Sequence, residues 1–198
     1  ERLWSPLHRA LARLLGYLDE TFPNLVNLAQ HRPHFDERRG RTTDPNEHAV
    51  EVLAALDTST MTERERLIAR VAVLYHDVGK GVDSYDPRHP LHSARQAEPL
   101  VARHGLGADE AAAALLQIRE HDLLGMFSRD RMTEGEAIER LRLDASPRNL
   151  DVHFAITSAD IVTIRGLRWV VDTGVIRDAY RRLARALCLD RATLERGE

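Results

Sequence analysis

His76 and Asp77 stand side by side where the apolar run "VAVLY" gives way to "HDVGKG". A carboxylate at the end of a buried helix is costly to leave unpaired, and a divalent cation removes that cost. Adjacent helical residues point about 100° apart, so both reach one ion only at a helix end where the chain begins to turn. Three further groups stand out. His48 lies one residue from the apolar face of an expected helix, and His121, followed by Asp122, ends an alanine-rich one. Asp160 sits inside "AITSADIVTI", where a carboxylate needs a partner, either an ion or an arginine such as Arg165. Any one of the ten histidines, taken alone, reads most simply as a core or surface residue. Their joint placement with the carboxylates favours a metal site. A second ion would draw on His89 or His92, in "PRHPLHSARQAE". Nitrogen and oxygen donors without cysteine suit Fe, Mn, Ni, Co, Zn or Mg. Ions held there would acidify a water for attack on phosphorus and offset charge on phosphoryl oxygens. Lys80 is the sole lysine beside 27 arginines. A compact ammonium differs from a planar fork, so Lys80 is assigned to the substrate phosphate.

These groups must be positioned by helices. Leu3 to Glu20 carries leucines at helical spacing, and a charged, turn-rich stretch with Pro33, Gly40 and Pro45 follows. Asp44 or Asn46 would cap a helix from about Glu47 to Leu56. Thr62 and Glu65 form a capping-box pattern at the start of a helix that becomes densely apolar toward Tyr75. Helices are expected over 91–104 and 108–121, a shorter one in "TEGEAIERLRL", and a long or jointed one through "NLDVHFAITSADIVTIRGLRWVVDTG". "VIRDAYRRLARALCL" supplies the last. Val162, Thr163, Ile164, Val170 and Val171 are β-branched, but the length of the apolar pattern favours helix over strand. The fold class expected is all-α.

At 198 residues, with 43% hydrophobic and 30% charged residues, the chain suits one well-cored domain. A net charge of −3 gives no overall attraction for nucleic acid or anionic lipid. Cys188 alone excludes an intrachain disulfide and a cysteine zinc site, and fits a reducing, cytoplasmic setting. No apolar run approaches membrane-spanning length, so no membrane partner is expected. The chain opens on Glu1 rather than a methionine, which weakens any reading of an absent leader.

The residues resemble the HD superfamily of metal-dependent phosphohydrolases, whose pattern is a histidine, a His-Asp pair and a distal aspartate. Here it falls on His48 in "DPNEHAVEVL", His76-Asp77 in "LYHDVGKG" and Asp160 in "TSADI". The resemblance implies a single HD-type bundle over residues 1–198, with its core about 44–170 and roughly seven to nine helices. Members that bind two ions add two histidines. His89 fits the first, with Pro90 next and Ser93 four residues on, and His92 is its rival or a substrate contact. His121 fits the second. There is no Gly-Tyr-Pro motif and no doubled histidine at His121, so the resemblance does not point to cyclic dinucleotides. "LYHDVGKG" also looks like the HD domain behind the nucleotidyltransferase head of bacterial tRNA-nucleotidyl transferases. If Glu1 marks a domain cut from a longer chain, a role at RNA ends follows, and Arg41, beside Arg38 and Arg39, would touch phosphate.

The expected function is phosphomonoesterase or phosphodiesterase action on a nucleotide or RNA-end phosphoester. The expected metal ligands are His48, His76, Asp77, His89, His121 and Asp160, holding two divalent ions. Asp77 and Lys80 are the expected catalytic residues, with Lys80, His92 and Arg41 against the substrate. The partner is a phosphorylated small molecule, a nucleotide or an RNA end. The same scaffold admits two other classes: a di-iron oxygenase, and a non-catalytic regulatory module.

Overall fold

In the computed structural model, which describes residues 6–21, 45–80, 87–164 and 173–196, every regular element is helical. The helices are α1 (Pro6–Thr21), α2 (Pro45–Ala55), α3 (Glu63–Tyr75), α4 (His89–Val101), a 3-10 turn (Ala102–His104) and α5 (Ala108–Glu120), followed by α6 (Leu123–Phe127), α7 (Glu134–Arg140), α8 (Arg148–Thr163) and α9 (Thr173–Arg196). The all-α architecture expected from periodicity is found, with no strand among the described residues. Among the described residues, no helix is long and apolar enough to cross a membrane.

The capping box at Thr62 is present. Its hydroxyl accepts from the Glu65 N–H at 3.2 Å, and the Glu65 carboxylate accepts from the Thr62 N–H at 2.8 Å. Two of the first orphan N–H groups of α3 are thereby satisfied. Glu65 also accepts from Arg148 Nε at 2.8 Å, which fixes the start of α8 beside the start of α3. Thr133 and Glu136 repeat the box at α7.

In the second half of α3, Ala69 and every residue from Val71 to Tyr75 are buried. A helix apolar on all sides must run through protein rather than along its surface, and this one delivers His76 to the interior. Around it a core forms from α2, α3, α4, α5 and one face of α8, with Val152, Ile156 and Ala159 contributed by the last. A second core joins α6, α7 and α9 to α8 through Leu150 and Ile161. Helix α8 therefore stands between two apolar layers. Tyr75, wholly buried, bonds through its hydroxyl to Tyr17 at 3.0 Å and to His104 Nε2 at 2.8 Å, tying α1 and the 3-10 turn to the end of α3.

Several boundaries differ from the sequence expectation. Helix α4 begins at His89, with Pro90 in its first turn where the missing N–H costs nothing, and its last three expected residues tighten into the 3-10 turn. The short helix ends at Arg140, because Arg142 takes a left-handed φ of 52°. Helix α8 ends at Thr163, and Ile164 is already extended. Val170, Val171 and the remainder of that expected helix lie outside the described residues until α9 begins.

Candidate metal centre

The site is built on two helix ends. His76 follows the last residue of α3, and its Nδ1–H donates to the Val73 carbonyl at 2.7 Å. His121 follows the last residue of α5, and its Nδ1–H donates to the Ile118 carbonyl at 2.8 Å. A carbonyl can only accept, so each bond fixes the tautomer and leaves Nε2 as a bare lone pair. The last turn of each helix supplies that carbonyl because its own partner residue has left the helix.

The lone pairs meet carboxylates from elsewhere. In one cluster are His48 from α2, His76, and Asp160 from α8; in the other are Asp77, His89 from α4, and His121. Within each cluster the candidate ligand atoms all lie within 4.8 Å of one another. His48 Nε2 is 2.7 Å from Asp160 Oδ1, and His76 Nε2 is 3.9 Å from the same oxygen. His89 Nε2 and His121 Nε2 lie 3.2 Å apart, at 3.5 and 3.7 Å from Asp77 Oδ1. Asp77 Oδ2 lies 3.5 Å from His76 Nε2, so the Asp77 carboxylate spans both clusters.

His76 Nε2 and Asp77 Oδ1 are buried and lack a hydrogen-bond partner among the described residues. Such atoms are costly unless something satisfies them, and a cation in each cluster would satisfy the one that belongs to it. The donor set is nitrogen and oxygen only, which accommodates borderline and hard first-row divalent ions. The residues therefore fit a divalent metal.

The electrostatics favour the ligand-ready protonation states. Burial opposes charge on Asp77, yet the facing His76, Lys80, His89 and His121 outweigh it and hold the carboxyl well below its usual range. Burial likewise opposes charge on Asp160, but the bond from His48 and the charges of His48 and His76 bring it down to about 2. Burial lowers His76, and lowers His89 to about 4, leaving both imidazoles neutral near pH 7. A neutral imidazole beside an ionised carboxylate is what metal binding requires.

The structure thus brings together His48, His76, Asp77, His89, His121 and Asp160. It separates His89 from His92: the former is buried in a cluster, and the latter is half-buried on α4 and belongs to neither. Lys80 Nζ donates to Asp77 Oδ2, so its ammonium lies beside a candidate ligand carboxylate. Arg41 lies outside the described residues, as does Arg165, and the partner of Asp160 is His48.

Two features escape a reading of the sequence. Glu120, next to His121 and buried, receives Arg119 Nε and Arg140 Nε at 2.8 Å each. His153, wholly buried on α8, meets Gln117 Oε1 at 2.9 Å, while Gln117 Nε2 donates to the Asn149 carbonyl at 3.2 Å. The carbonyl demands the amide nitrogen, so the Gln117 oxygen faces His153 and Nδ1 carries the proton.

Gly79 has a different role from the backbone freedom its place after His-Asp suggests. Its φ is not positive, whereas a Cβ there would lie 2.2 Å from Ser93 N and 2.5 Å from His89 O. The Gly79 N–H donates to Ser93 Oγ at 2.9 Å. Glycine is required because the turn after α3 lies directly against the first turn of α4, the turn that carries His89.

Among curated proteins, the chain is similar to the bifunctional uridylyltransferase/uridylyl-removing enzyme of Bordetella avium (strain 197N). They are 28% identical over 178 residues, which is 88% of this chain and 20% of that protein. It is also similar to the protein of the same name from Azospirillum brasilense, 34% identical over 101 residues, or 50% of this chain and 10% of the relative. The chain thus spans a fifth or less of the length of these relatives. No family model matches it, and no solved structure does. The HD-like arrangement of His and Asp, together with this similarity, supports a link to the HD superfamily.

Proposed function

We propose that this chain is a metal-dependent phosphohydrolase that cleaves a phosphodiester carrying a nucleotidyl group. One observation carries the reading: the Asp77 carboxylate is shared, with Oδ1 toward His89 and His121 and Oδ2 toward His76. A carboxylate so placed would serve both clusters and supports a reading with two ions. His48, His76, Asp77 and Asp160 would hold one ion, and Asp77, His89 and His121 the other. Divalent ions in such a pair supply an acidified water and positive charge for the phosphoryl oxygens.

The chain's own groups do the rest. The Val73 and Ile118 carbonyls hold His76 and His121 in the tautomer whose Nε2 faces inward. Lys80, bonded to Asp77, keeps a compact cation beside the ligand carboxylate, where it would turn to a substrate phosphate. His92, half-buried on the same helix as His89, is assigned to the substrate, as is Arg41. The relatives' names include "uridylyl-removing". A uridylyl group is a nucleoside monophosphate attached through its phosphate, so its hydrolytic removal breaks a phosphoester bond. This favours a nucleotidyl ester over a simple phosphomonoester.

The test is to strip the protein of metal, reload it with Mn, Fe, Co, Ni, Zn or Mg, and offer three substrates. These are the p-nitrophenyl ester of uridine 5′-monophosphate, bis-p-nitrophenyl phosphate and p-nitrophenyl phosphate. Hydrolysis of the nucleotidyl ester is expected, with loss on chelation and in Asp77→Ala. Metal binding without turnover of any phosphoester would refute the reading, as would turnover that survives Asp77→Ala.

A further inference from the structure

We propose that Asp122 is an additional ligand of the ion held by Asp77, His89 and His121, on its solvent side. The proposal rests on the two-ion reading above and extends it to a residue outside both clusters.

The argument is a repetition of geometry. Helices α3 and α5 are both 13 residues long, and each is followed at once by a His-Asp dipeptide. His76 has φ −59° and ψ −32°, and His121 has φ −54° and ψ −27°. Each donates its Nδ1–H to the carbonyl three residues back, at 2.7 and 2.8 Å. Each presents Nε2 to an oxygen of the aspartate that follows it, and both distances are 3.5 Å. The second helix end thus poses Asp122 toward His121 as the first poses Asp77 toward His76. A second histidine agrees, since His89 Nε2 lies 3.8 Å from the other Asp122 oxygen.

These separations are long for hydrogen bonds and suit two atoms bound to one cation. With metal–ligand bonds of about 2.0–2.2 Å, neighbouring ligand atoms on one ion lie ~3–3.5 Å apart. A small closure of the carboxylate meets that range. The competing structural job is not performed: Asp122 stands at the N-cap of α6, yet its side chain makes no capping bond. Its exposure separates it from its counterpart, at 46% of the side chain against 4% for Asp77. A buried shared carboxylate and a half-exposed unshared one give the second ion a closed side and an accessible side.

The test is equilibrium Mn²⁺ binding, by calorimetry and by metal content after gel filtration, on the wild type, Asp122→Asn, Asp122→Ala and His48→Ala. The wild type is expected to hold two ions per chain. Both Asp122 variants should weaken one of them about tenfold or more and keep the other. Asp122→Asn combined with His48→Ala should weaken both. Asn is nearly isosteric at a half-exposed position, and unchanged melting of the metal-free variants would confirm that the fold is intact. Two ions bound with wild-type affinity in both Asp122 variants would overturn the proposal while leaving the two-ion reading standing. Fewer than two ions in the wild type would overturn both.

Discussion

Replacing Gly79 with alanine tests how the second cluster is held together. The added Cβ would lie 2.2 Å from Ser93 N, 2.5 Å from His89 O and 2.7 Å from His92 C, all backbone atoms that no rotamer change moves. To reach an ordinary contact, α4 and the His-Asp turn must separate by about 1 Å, the scale on which overpacking costs roughly 1–3 kcal/mol. The same shift weakens the buried bond from Gly79 N–H to Ser93 Oγ, for about 1 kcal/mol more. The expected loss is about 2–4 kcal/mol, or roughly 5–15 °C in Tm for a chain of this size. Because His89 rides on that turn of α4, its Nε2 would draw away from Asp77 Oδ1, now 3.5 Å distant. The cluster of His48, His76 and Asp160 takes nothing from α4. Gly79→Ala should therefore weaken one ion well before the other, in calorimetric titration alongside thermal melting. Ser93→Ala, which removes the acceptor and adds no bulk, should cost about 1 kcal/mol and leave both ions. A Gly79→Ala protein that melts within a degree or two of the wild type and binds both ions unchanged would refute the close-packing account.

The metal-free protein should lose stability as the pH falls below 6.5. Burial lowers His153 to about 3 and His89 to about 4, so between those values and 6.5 the unfolded chain takes up protons that the folded chain refuses. Each such group contributes in full above 6.5 and costs about 1.4 kcal/mol per pH unit below it; urea denaturation between pH 7 and 5 should show this, less steeply in His153→Gln, and a flat profile would contradict it. Arg140→Ala leaves the buried Glu120 with Arg119 alone, and since Arg140 is 42% exposed the expected loss is a discounted 1–3 kcal/mol, about. Denaturant midpoints of Arg140→Ala and Arg140→Lys would check it, the lysine failing to restore two-point contact. Lys80→Ala should keep both ions and lose turnover, and Lys80→Arg should not recover it; loss of metal from Lys80→Ala would instead assign the ammonium to holding Asp77.

The helices were legible wherever the determinants are local. The Thr62–Glu65 box and the dense apolar run to Tyr75 announced α3, and α8 runs helical through Val162 and Thr163 as the length of its apolar pattern predicts. Ligand candidates were legible as polar groups at junctions between apolar helices and loops. What sequence could not carry is register between distant helices. Whether His89 or His92 reaches Asp77 depends on the rotation of α4, and that rotation is set by Gly79 and Ser93, 14 residues apart. Asp122 reads as an ordinary loop acid until its distance from His89, across the packing of α4 on α5, is known. The pairing of Lys80 with Asp77 is local, three residues apart, but depended on which way a turn folds.

The contact between His48 and Asp160 joins residues 112 positions apart, one on α2 and one on α8. Bringing such distant points together is among the last and slowest events for a chain, because the entropy of closing the loop is spent before the contact returns anything. An ion that needed both residues would find no site on a half-folded chain, so it would act as a late staple rather than a nucleus. Its stabilisation should then appear almost wholly as slower unfolding, with refolding rates nearly indifferent to metal. The centre would serve the chain as a clasp against opening, independent of any reaction it performs.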